Sequence, residues 1–401
     1  MLIRKLLNKI ALASLVAGVS VPAFADGPLD GALYNFGDVG ALSLLCSVEA
    51  RYNDNIYLES SSKNGDVIWT FSPGLELELG GSESESKFRI SYIEDLILYT
   101  SNSKNNSQDS HLAISYNYTG SKFKATVAAG YDQQVNTSNR DRSTRGHLIR
   151  YQTYYARALG TYDITEKVSI MSGFKWDGRR YDSQRYYYND RETYAIPVNL
   201  YHSILTEKIK AGISYEYRYT DLAGAGKDNG KNPGYEQVHF IGLTATGDFT
   251  DALTLDGRIG CSTRDYNRRT TGSGNTSHST LSLMLNANYK VTEKTTADLR
   301  VSRDFEIAGD ASSITSTGIQ LGVAHVFSSK WMGNVSIAYR QDDYDYSNRC
   351  DDVYTLSVGA HYNINDYLSA SASYSFQWND SNGSYWDYTD NIISLAISFR
   401  Y

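Results

Sequence analysis

The chain has 401 residues, a formal net charge of −7 and a mean hydropathy of −0.43. An acidic chain of this kind argues against nucleic-acid binding, and its three cysteines form neither a disulfide framework nor a metal-binding spacing. Tyrosine is abundant, with 34 Tyr against 12 Phe and 5 Trp, which favours contact with a membrane–water interface.

The N-terminus has the pattern of a secretory signal peptide. Basic residues precede a short apolar run at residues 10–21, and an Ala-Phe-Ala cleavage site follows at residues 23–25. The run is shorter than the roughly 20 apolar residues that a spanning helix needs. We therefore expect residues 1–25 to be removed, and residues 26–40 to form a periplasmic lead-in without a strand pattern.

Segments that alternate between apolar and polar residues recur roughly every 20 residues over the rest of the chain. In residues 368–378 every even position is apolar or aromatic, and every odd position is Ser or Gln. A strand turns successive side chains to opposite faces, so such a segment has one face for lipid and one for water. Tight turns alternate with longer polar loops, and we expect the tight turns to be periplasmic. Residues 41–401 are thus predicted to form one all-β, antiparallel transmembrane β-barrel of about 18 strands, with about 16 as the alternative.

The segment 149–159 is less regular, because it places either Arg150 or Arg157 on the lipid face. A β-bulge within this strand would move one of the two arginines to the other face. We therefore expect a bulge here.

The last strand, residues 390–401, is amphipathic and carries Phe399 and Tyr401 on its apolar side. A closing strand of this kind resembles the assembly signal of bacterial outer-membrane barrels. Those signals usually end in Phe, so Tyr401 is a mild departure. We predict that Phe399 and Tyr401 form an assembly signal recognised by the barrel-assembly machinery.

Counting inward from the apolar positions assigns charged residues of both signs to the lumen. These residues are Lys124, Lys175, Asp177, Lys210, Glu216, Arg218, Asp256, Arg258, Asp298, Arg300, Arg340 and Arg400. Such charges could pair across strands and stiffen the wall, and they could also line a wet channel for polar solutes. No segment is long enough for a plug, and no loop is long enough to fold deep inside. Any constriction is therefore expected to come from side chains.

No catalytic motif is recognisable in the sequence. The Gly-rich segment 224–230 has the wrong spacing for a phosphate loop, and we interpret it as an outer loop. The acidic residues at 342–345 and 351–352 could bind Ca²⁺, but a solvated mouth is the simpler interpretation. We predict no cofactor, no metal and no enzymatic activity, with an outer-membrane enzyme as a remote alternative.

Two N-terminal motifs resemble a known family. Residues 49–57, Glu-Ala-Arg-Tyr-Asn-Asp-Asn-Ile-Tyr, resemble the Y-D-D-N-I element that opens the putative beta-barrel porin type 2 family, with Asn53 in place of the commoner Asp. Residues 71–75, Phe-Ser-Pro-Gly-Leu, resemble its S-P-G-L element one strand later. That family is similar to outer-membrane barrels encoded with exopolysaccharide-synthesis genes. The resemblance implies an outer-membrane barrel linked to polysaccharide export or surface assembly, and it implies no catalytic residues.

The sequence therefore predicts a porin-like passive channel in the outer membrane of a Gram-negative bacterium. The alternative is a structural or adhesive surface barrel with a blocked lumen. The expected partners are outer-membrane lipid, lipopolysaccharide, the barrel-assembly machinery and polysaccharide-export proteins, and no nucleic acid.

Overall fold

A computed structural model describes residues 32–81, 83–135, 148–204, 208–222, 233–268, 276–309, 312–345 and 347–401. The predicted signal peptide and the Gly-rich segment 224–230 lie outside the described residues. Within them, none of the helices is long and apolar enough to span a bilayer.

Nineteen strands are found in the described residues, and they form a single sheet. They are β1 (Tyr34–Asn35), β2 (Gly40–Asn53), β3 (Asp66–Leu79), β4 (Ser86–Tyr99), β5 (Ser107–Thr119), β6 (Phe123–Val135), β7 (Arg150–Asp163), β8 (Val168–Tyr181), β9 (Arg191–Ser203), β10 (Ile209–Asp221), β11 (Pro233–Asp248), β12 (Leu253–Arg268), β13 (Thr276–Lys290), β14 (Thr295–Ile307), β15 (Ser313–Val326), β16 (Trp331–Tyr344), β17 (Cys350–Asn363), β18 (Leu368–Ser381) and β19 (Tyr388–Arg400). Short 3₁₀ turns lie at Gly37–Val39, Ser103–Asn105 and Gln184–Asn189.

The sheet closes on itself. Each strand from β2 to β19 pairs antiparallel with its two neighbours in the chain, and β19 pairs with β2 from Arg400 opposite Leu45 to Ile392 opposite Asn53. Closure leaves no free sheet edge, which is the condition for strands to cross a lipid bilayer. The predicted antiparallel barrel of about 18 strands is confirmed.

Two residues of the predicted lead-in form β1, which the sequence pattern did not indicate. β1 pairs Tyr34 with Leu42 and Asn35 with Ala41. The pairing of β19 with β2 stops at Leu45, so β1 covers the stretch of β2 that β19 leaves unpaired.

The two faces of the wall have opposite character. Ile213, Ile241 and Leu243 point outward and are largely exposed, whereas Ser214 and Ser262 point inward and are buried. A soluble protein has the reverse arrangement, whereas an apolar outer band suits lipid. The ends of the barrel differ as well. At one end the strands are joined by short connections such as residues 164–167 and 291–294, and we call it the short-turn end; at the other the connections are longer, such as residues 100–106 and 182–190, and we call it the long-loop end.

Neighbouring positions on β18 should respond very differently to an arginine. Ala372 pairs with Ala360 and Leu395 on the lipid side, and Ser373 pairs with Gly359 and Ser394 on the lumen side. Both side chains are exposed. Ala372→Arg should cost about 2–4 kcal/mol near the bilayer midplane, and Ser373→Arg should fold normally.

Urea unfolding of the two variants in lipid vesicles measures this difference. Ser373→Arg serves as the matched control, because it differs from Ala372→Arg by one position and one face. Equal stability of the two variants would show that the face assignment of β18 is wrong.

The bulge expected in β7 is absent, because β7 pairs in continuous register with both β6 and β8. Arg157 points inward, where it lies 3.3 Å from a carboxylate oxygen of Asp177. Arg150 lies at the long-loop end of the strand and contacts Asp109. Both arginines therefore find carboxylate partners without a break in the strand.

Residues 49–57, the first family-like motif, connect the first and last strands of the closed ring, β2 and β19. Asp54 accepts hydrogen bonds from the backbone and side-chain nitrogens of Asn391, at 2.7 and 2.8 Å. Asn55 is fully buried and donates to the carbonyl oxygen of Thr389 at 2.9 Å. Burial alone would raise the pKa of Asp54, but these hydrogen bonds and Lys63 at 3.2 Å lower it. The motif thus fastens β2 to β19 at the long-loop end.

The second motif marks an irregular point between β3 and β4. Phe71 pairs with Leu96 and Gly74 with Ile93, but the two positions between are not paired. Proline has no N–H to donate to a ladder, which accounts for the gap at Pro73. A Cβ atom on Gly74 would lie 2.7 Å from a backbone oxygen of β4, so glycine permits the close approach of the two strands.

Candidate functional site

The candidate site is the lumen, and its walls follow from the strand register. Directly paired residues share a face of the sheet; Asp256, Asn286, Arg300 and Gln320 therefore lie side by side on four strands. The same reasoning around the ring places all twelve predicted lumen residues on the inner face.

Ion pairs connect charged side chains on the inner face, in three of the four cases between different strands and in the case of Arg340 and Asp342 within β16. They link Lys175 to Glu216 at 3.0 Å, Lys210 to Asp163 at 3.2 Å, Arg340 to Asp342 at 3.0 Å and Arg400 to Glu76 at 2.8 Å. Among the described residues, Arg300 has no ion-pair partner although Asp298 lies two positions away on the same strand. Charges that alternate in sequence are therefore not necessarily paired in the fold.

At the long-loop end the hairpin of β14 and β15 separates from β13 and turns into the lumen, while β15 stays paired with β16 as far as Ile314 opposite Tyr344. Pairing of β13 with β14 ends at Leu283 opposite Arg303, whereas β14 stays paired with β15 as far as Ile307. Phe305 is 2% exposed and Ile314 is fully buried. We call residues 304–309 and 312–316 the in-folded hairpin.

Contacts of the in-folded hairpin reach strands far around the ring. Arg191 on β9 donates to the carbonyl oxygen of Ala308 at 2.8 Å. Arg218 on β10 donates to the carbonyl oxygen of Phe305 at 2.9 Å. β9 and β10 lie five and four strands away from β14 in the ring order. Such contacts are made only across the interior, so the hairpin narrows the long-loop half of the lumen.

A charged cluster holds the base of the hairpin. The carboxylate of Asp304 accepts from the hydroxyl of Ser262 at 2.9 Å and from Arg218 at 3.4 Å. Arg258 lies 3.8 Å from the same carboxylate and 3.5 Å from that of Glu216. Arg258 thus lies between two carboxylates and Arg218 pairs with one of them, and this pairing offsets the cost of removing the charges from water.

A second anchor is Arg264 on β12, whose side chain is fully buried. Its guanidinium lies 4.0 Å from the ring centre of Phe305 and donates to the carbonyl oxygen of Ile314 at 3.3 Å. It contacts Asp345 and lies 3.9 Å from Glu236. A buried cation without these partners would be strongly destabilising, so Arg264 favours the in-folded position of the hairpin.

The expectation that side chains alone constrict the lumen is therefore wrong. The two strands of the hairpin keep the same alternation inside the lumen as in the wall, so the pattern does not reveal where the wall ends. The sequence contained one weak indication of a segment inside the lumen. Leu222 and Phe240 are apolar although they occupy inward-facing positions. Leu222 packs against Ile307 of the hairpin, and the ring of Phe240 is covered by Arg258.

The side of the lumen opposite these anchors is lined by small polar residues. On β16–β19 and β2 the inward positions are mostly Ser, Ala, Gly and Asn. Asn334 and Ser373 are exposed to the lumen, whereas Ser214 on β10 and Ser262 on β12 are buried. Side chains therefore occupy less of the lumen along the β16–β19 wall than near the hairpin.

Two of the acidic residues near the β16–β17 loop, Asp342 and Asp351, are buried and not solvated. Asp342 is fully buried, accepts from Ser316 at 2.8 Å and pairs with Arg340. Asp351 is fully buried beside Arg349. The described residues contain no group of three or more His, Cys, Asp or Glu side chains that could hold a metal ion. The carboxylates of Asp342 and Asp351 form ion pairs with arginines instead.

Residues 279–401 match the family model described as Putative beta-barrel porin 2. The resemblance to this porin family is confirmed. The matched range runs from β13 to the C-terminus, whereas the motifs at residues 49–57 and 71–75 lie outside it. The protein is a porin-like β-barrel, and the family match and the closed wall both point to the outer membrane.

Solved porin structures are similar to this chain at low identity. OccK2 (OpdF) of Pseudomonas aeruginosa shows 12% identity, with 91% of this chain and 98% of that chain covered and a TM-score of 0.48. OccAB3 of Acinetobacter baumannii shows 11%, with 91% and 100% covered and a TM-score of 0.46. A BenF-like porin from Pseudomonas fluorescens Pf-5 shows 10%, with 91% and 100% covered and a TM-score of 0.48. No curated protein matches the sequence. The barrel assignment rests on the strand pairing of this chain.

Proposed function

We propose that the protein is a passive outer-membrane channel that serves polysaccharide export or surface assembly. The observation that carries the channel is the lumen wall on β16–β19, where small polar side chains leave space on the side of the lumen away from the in-folded hairpin. The cargo rests on the family resemblance alone. Lipopolysaccharide, the barrel-assembly machinery and polysaccharide-export proteins are the partners that such a role requires.

The charges of the lumen favour weak ion selectivity. Positive and negative side chains alternate, and several neutralise each other in ion pairs. A pore without a strong field of one sign discriminates weakly between ions. Arg300 is the best-placed residue for changing selectivity, because it borders the open side of the lumen without an ion pair among the described residues.

A structural or adhesive surface barrel is the second candidate, and the in-folded hairpin favours it. A hairpin that contacts β9, β10 and β12 removes much of the lumen from solute passage. In that role the outer loops bind partners and the lumen carries nothing. An outer-membrane enzyme is a remote third candidate, which hydrolase assays on the folded protein address.

Reconstitution in planar bilayers tests the channel. The purified barrel should conduct ions with weak selectivity, and Arg300→Glu should shift its preference toward cations because a positive charge in the path becomes negative. Lys208→Glu, beyond the short-turn end of the β10 strand, serves as the control outside the wall. A barrel that does not conduct would favour the adhesive role.

The cargo needs a separate experiment. A strain that lacks this gene should carry less surface polysaccharide, and the gene supplied on a plasmid should restore it. Unchanged surface polysaccharide in the deletion strain would refute the export role and leave the channel unaffected.

A further inference from the structure

The wall of the barrel splits between β13 and β14 in its long-loop half. Direct pairing of the two strands ends at Leu283 opposite Arg303, although both strands continue beyond this pair toward the loops. On the β14 side, the carbonyl oxygens of Phe305 and Ile307 accept from arginines across the lumen. The part of β13 beyond Leu283 therefore has, within the described residues, a strand partner on one side only.

Backbone groups of β13 face this split. The Lys290 N–H donates to the carbonyl oxygen of Ala252, so the even-numbered residues of β13 turn their backbone groups toward β12. Odd-numbered residues such as Leu281 turn theirs toward the split, where no described strand pairs with them. The Leu281 side chain is 60% exposed, so this edge borders the lipid-facing surface.

Arg303 points outward beside the split. It pairs directly with Leu283 and Thr317, which share the outward face, and its guanidinium donates to the hydroxyl of Thr317. Arg303 is partly exposed, and among the described residues it has no ion-pair partner. Arg180, another outward arginine, contacts Glu192. Arg303 is thus a cation on the outer surface whose charge is not neutralised by a described carboxylate.

The position of Arg303 corresponds to the boundary of the membrane at the long-loop end. It is the ninth residue of β14, counted from the short-turn end, and a tilted strand crosses the bilayer in about 9–11 residues. The outward residues paired in line with it toward β12, Leu283 and Ile259, are apolar. Those in line toward β16, Thr317 and Gln341, are polar. The apolar belt therefore ends at Arg303.

These surroundings select an anion that approaches from the lipid side. A cation next to lipid is costly without a counter-charge, and a guanidinium pairs with phosphate through two parallel hydrogen bonds. An unpaired backbone N–H beside lipid also needs an acceptor, which a neutral, apolar lipid chain does not offer. Two outward carboxylates, Asp265 and Asp343, lie nearer the loops and form no ion pair with Arg303. In the outer leaflet, the phosphate groups of lipopolysaccharide lie at the level of Arg303.

We propose that the split between β13 and β14 binds one lipopolysaccharide molecule through a phosphate group, which accepts from the guanidinium of Arg303 and from the open edge of β13. The inference deepens the proposed function by giving its lipopolysaccharide partner a site, and it rests on the outer-membrane placement, not on conduction. The bound lipid covers the wall where strand pairing ends.

Titration of lipid A into the folded barrel in non-ionic detergent, followed by native mass spectrometry, measures this binding. The wild type should retain one lipid A, and lipid A without its phosphates should bind much more weakly. Arg303→Gln should weaken binding of lipid A about tenfold, as expected for the loss of a charge-assisted hydrogen bond. Arg303→Lys keeps the positive charge and should retain most of the binding. Arg180→Gln, which removes an outward guanidinium beside a carboxylate, is the matched control and should bind as the wild type does.

Four results would overturn the proposal. They are equal binding of lipid A with and without phosphates, equal binding by wild type and Arg303→Gln, equal losses in Arg303→Gln and Arg180→Gln, or retention of phosphatidylglycerol in preference to lipid A. The third would reduce the effect to general surface charge, and the last would assign the split to a phospholipid. Heat-modifiable migration on gels checks that each variant is folded. Failure of the channel function appears separately, as a barrel without conductance, because Arg303 faces away from the lumen.

Discussion

Deletion of residues 399–401 is expected to abolish most assembly of the barrel in the outer membrane. Phe399 pairs with Leu368 on β18 and with Cys46 on β2, and the Tyr401 N–H donates to the carbonyl oxygen of Leu44 at 3.0 Å. The deletion leaves the edges of both neighbouring strands unpaired in lipid, where each unsatisfied backbone group costs several kcal/mol.

The same deletion leaves a buried carboxylate with fewer partners. Glu76 is 2% exposed and lies 2.8 Å from Arg400. Its other ion-pair partner among the described residues is Arg89. Loss of one of two cations beside a buried carboxylate adds to the cost of the open edge.

Comparison of heat-modifiable protein in outer-membrane fractions measures this effect. Tyr401→Phe is the matched control, because it keeps every backbone contact and ends the strand on the residue that outer-membrane barrels usually carry. It should assemble at wild-type levels. Wild-type amounts of the truncated barrel would contradict the assembly role of Phe399 and Tyr401.

Shortening the in-folded hairpin is expected to raise single-channel conductance several-fold. Phe305 and Thr315 are directly paired, so replacing residues 306–314 by Asn-Gly joins them through a two-residue turn of the favoured type. β14 keeps residues 295–305, which is within the roughly 9–11 residues that cross a bilayer. The change removes the contacts of the hairpin tip with Arg191 and Arg264, so the tip no longer obstructs the lumen.

Two single substitutions test whether the hairpin limits conductance through its position in the lumen or only through its charge. Asp304→Asn removes the negative charge that lies near Arg218 and Arg258, and it should cause frequent transitions to the larger conductance. Asp256→Asn removes a carboxylate on the same inner face, for which the described residues provide no ion-pair partner, and it should leave conductance unchanged. An unaltered conductance after hairpin shortening would show that the hairpin does not limit passage.

Much of the wall could be predicted from the sequence. The alternation over residues 368–378 lies within β18, and the inward positions of Asp256, Arg258 and Arg300 follow from the same count. The physical reason is local, because every side chain in a strand alternates faces whatever the strand pairs with. The number of strands also follows from the sequence, because each crossing of the membrane needs one alternating segment and each turn needs its own polar residues.

The interior could not be predicted in this way. The alternation of residues 304–307 is the same in a wall strand as in an in-folded hairpin, so only the partners across the lumen distinguish the two. Those partners, Arg218 and Arg264, approach the hairpin because the ring closes between β19 and β2.

The sequence by itself therefore determined the barrel, its faces and its approximate strand number, because these depend on local periodicity. The tertiary structure decided the narrowing of the lumen by residues 304–309 and 312–316, and the pairing of Arg264. These features depend on contacts between strands that lie far apart along the chain. Such contacts come into reach only when the sheet curves and closes.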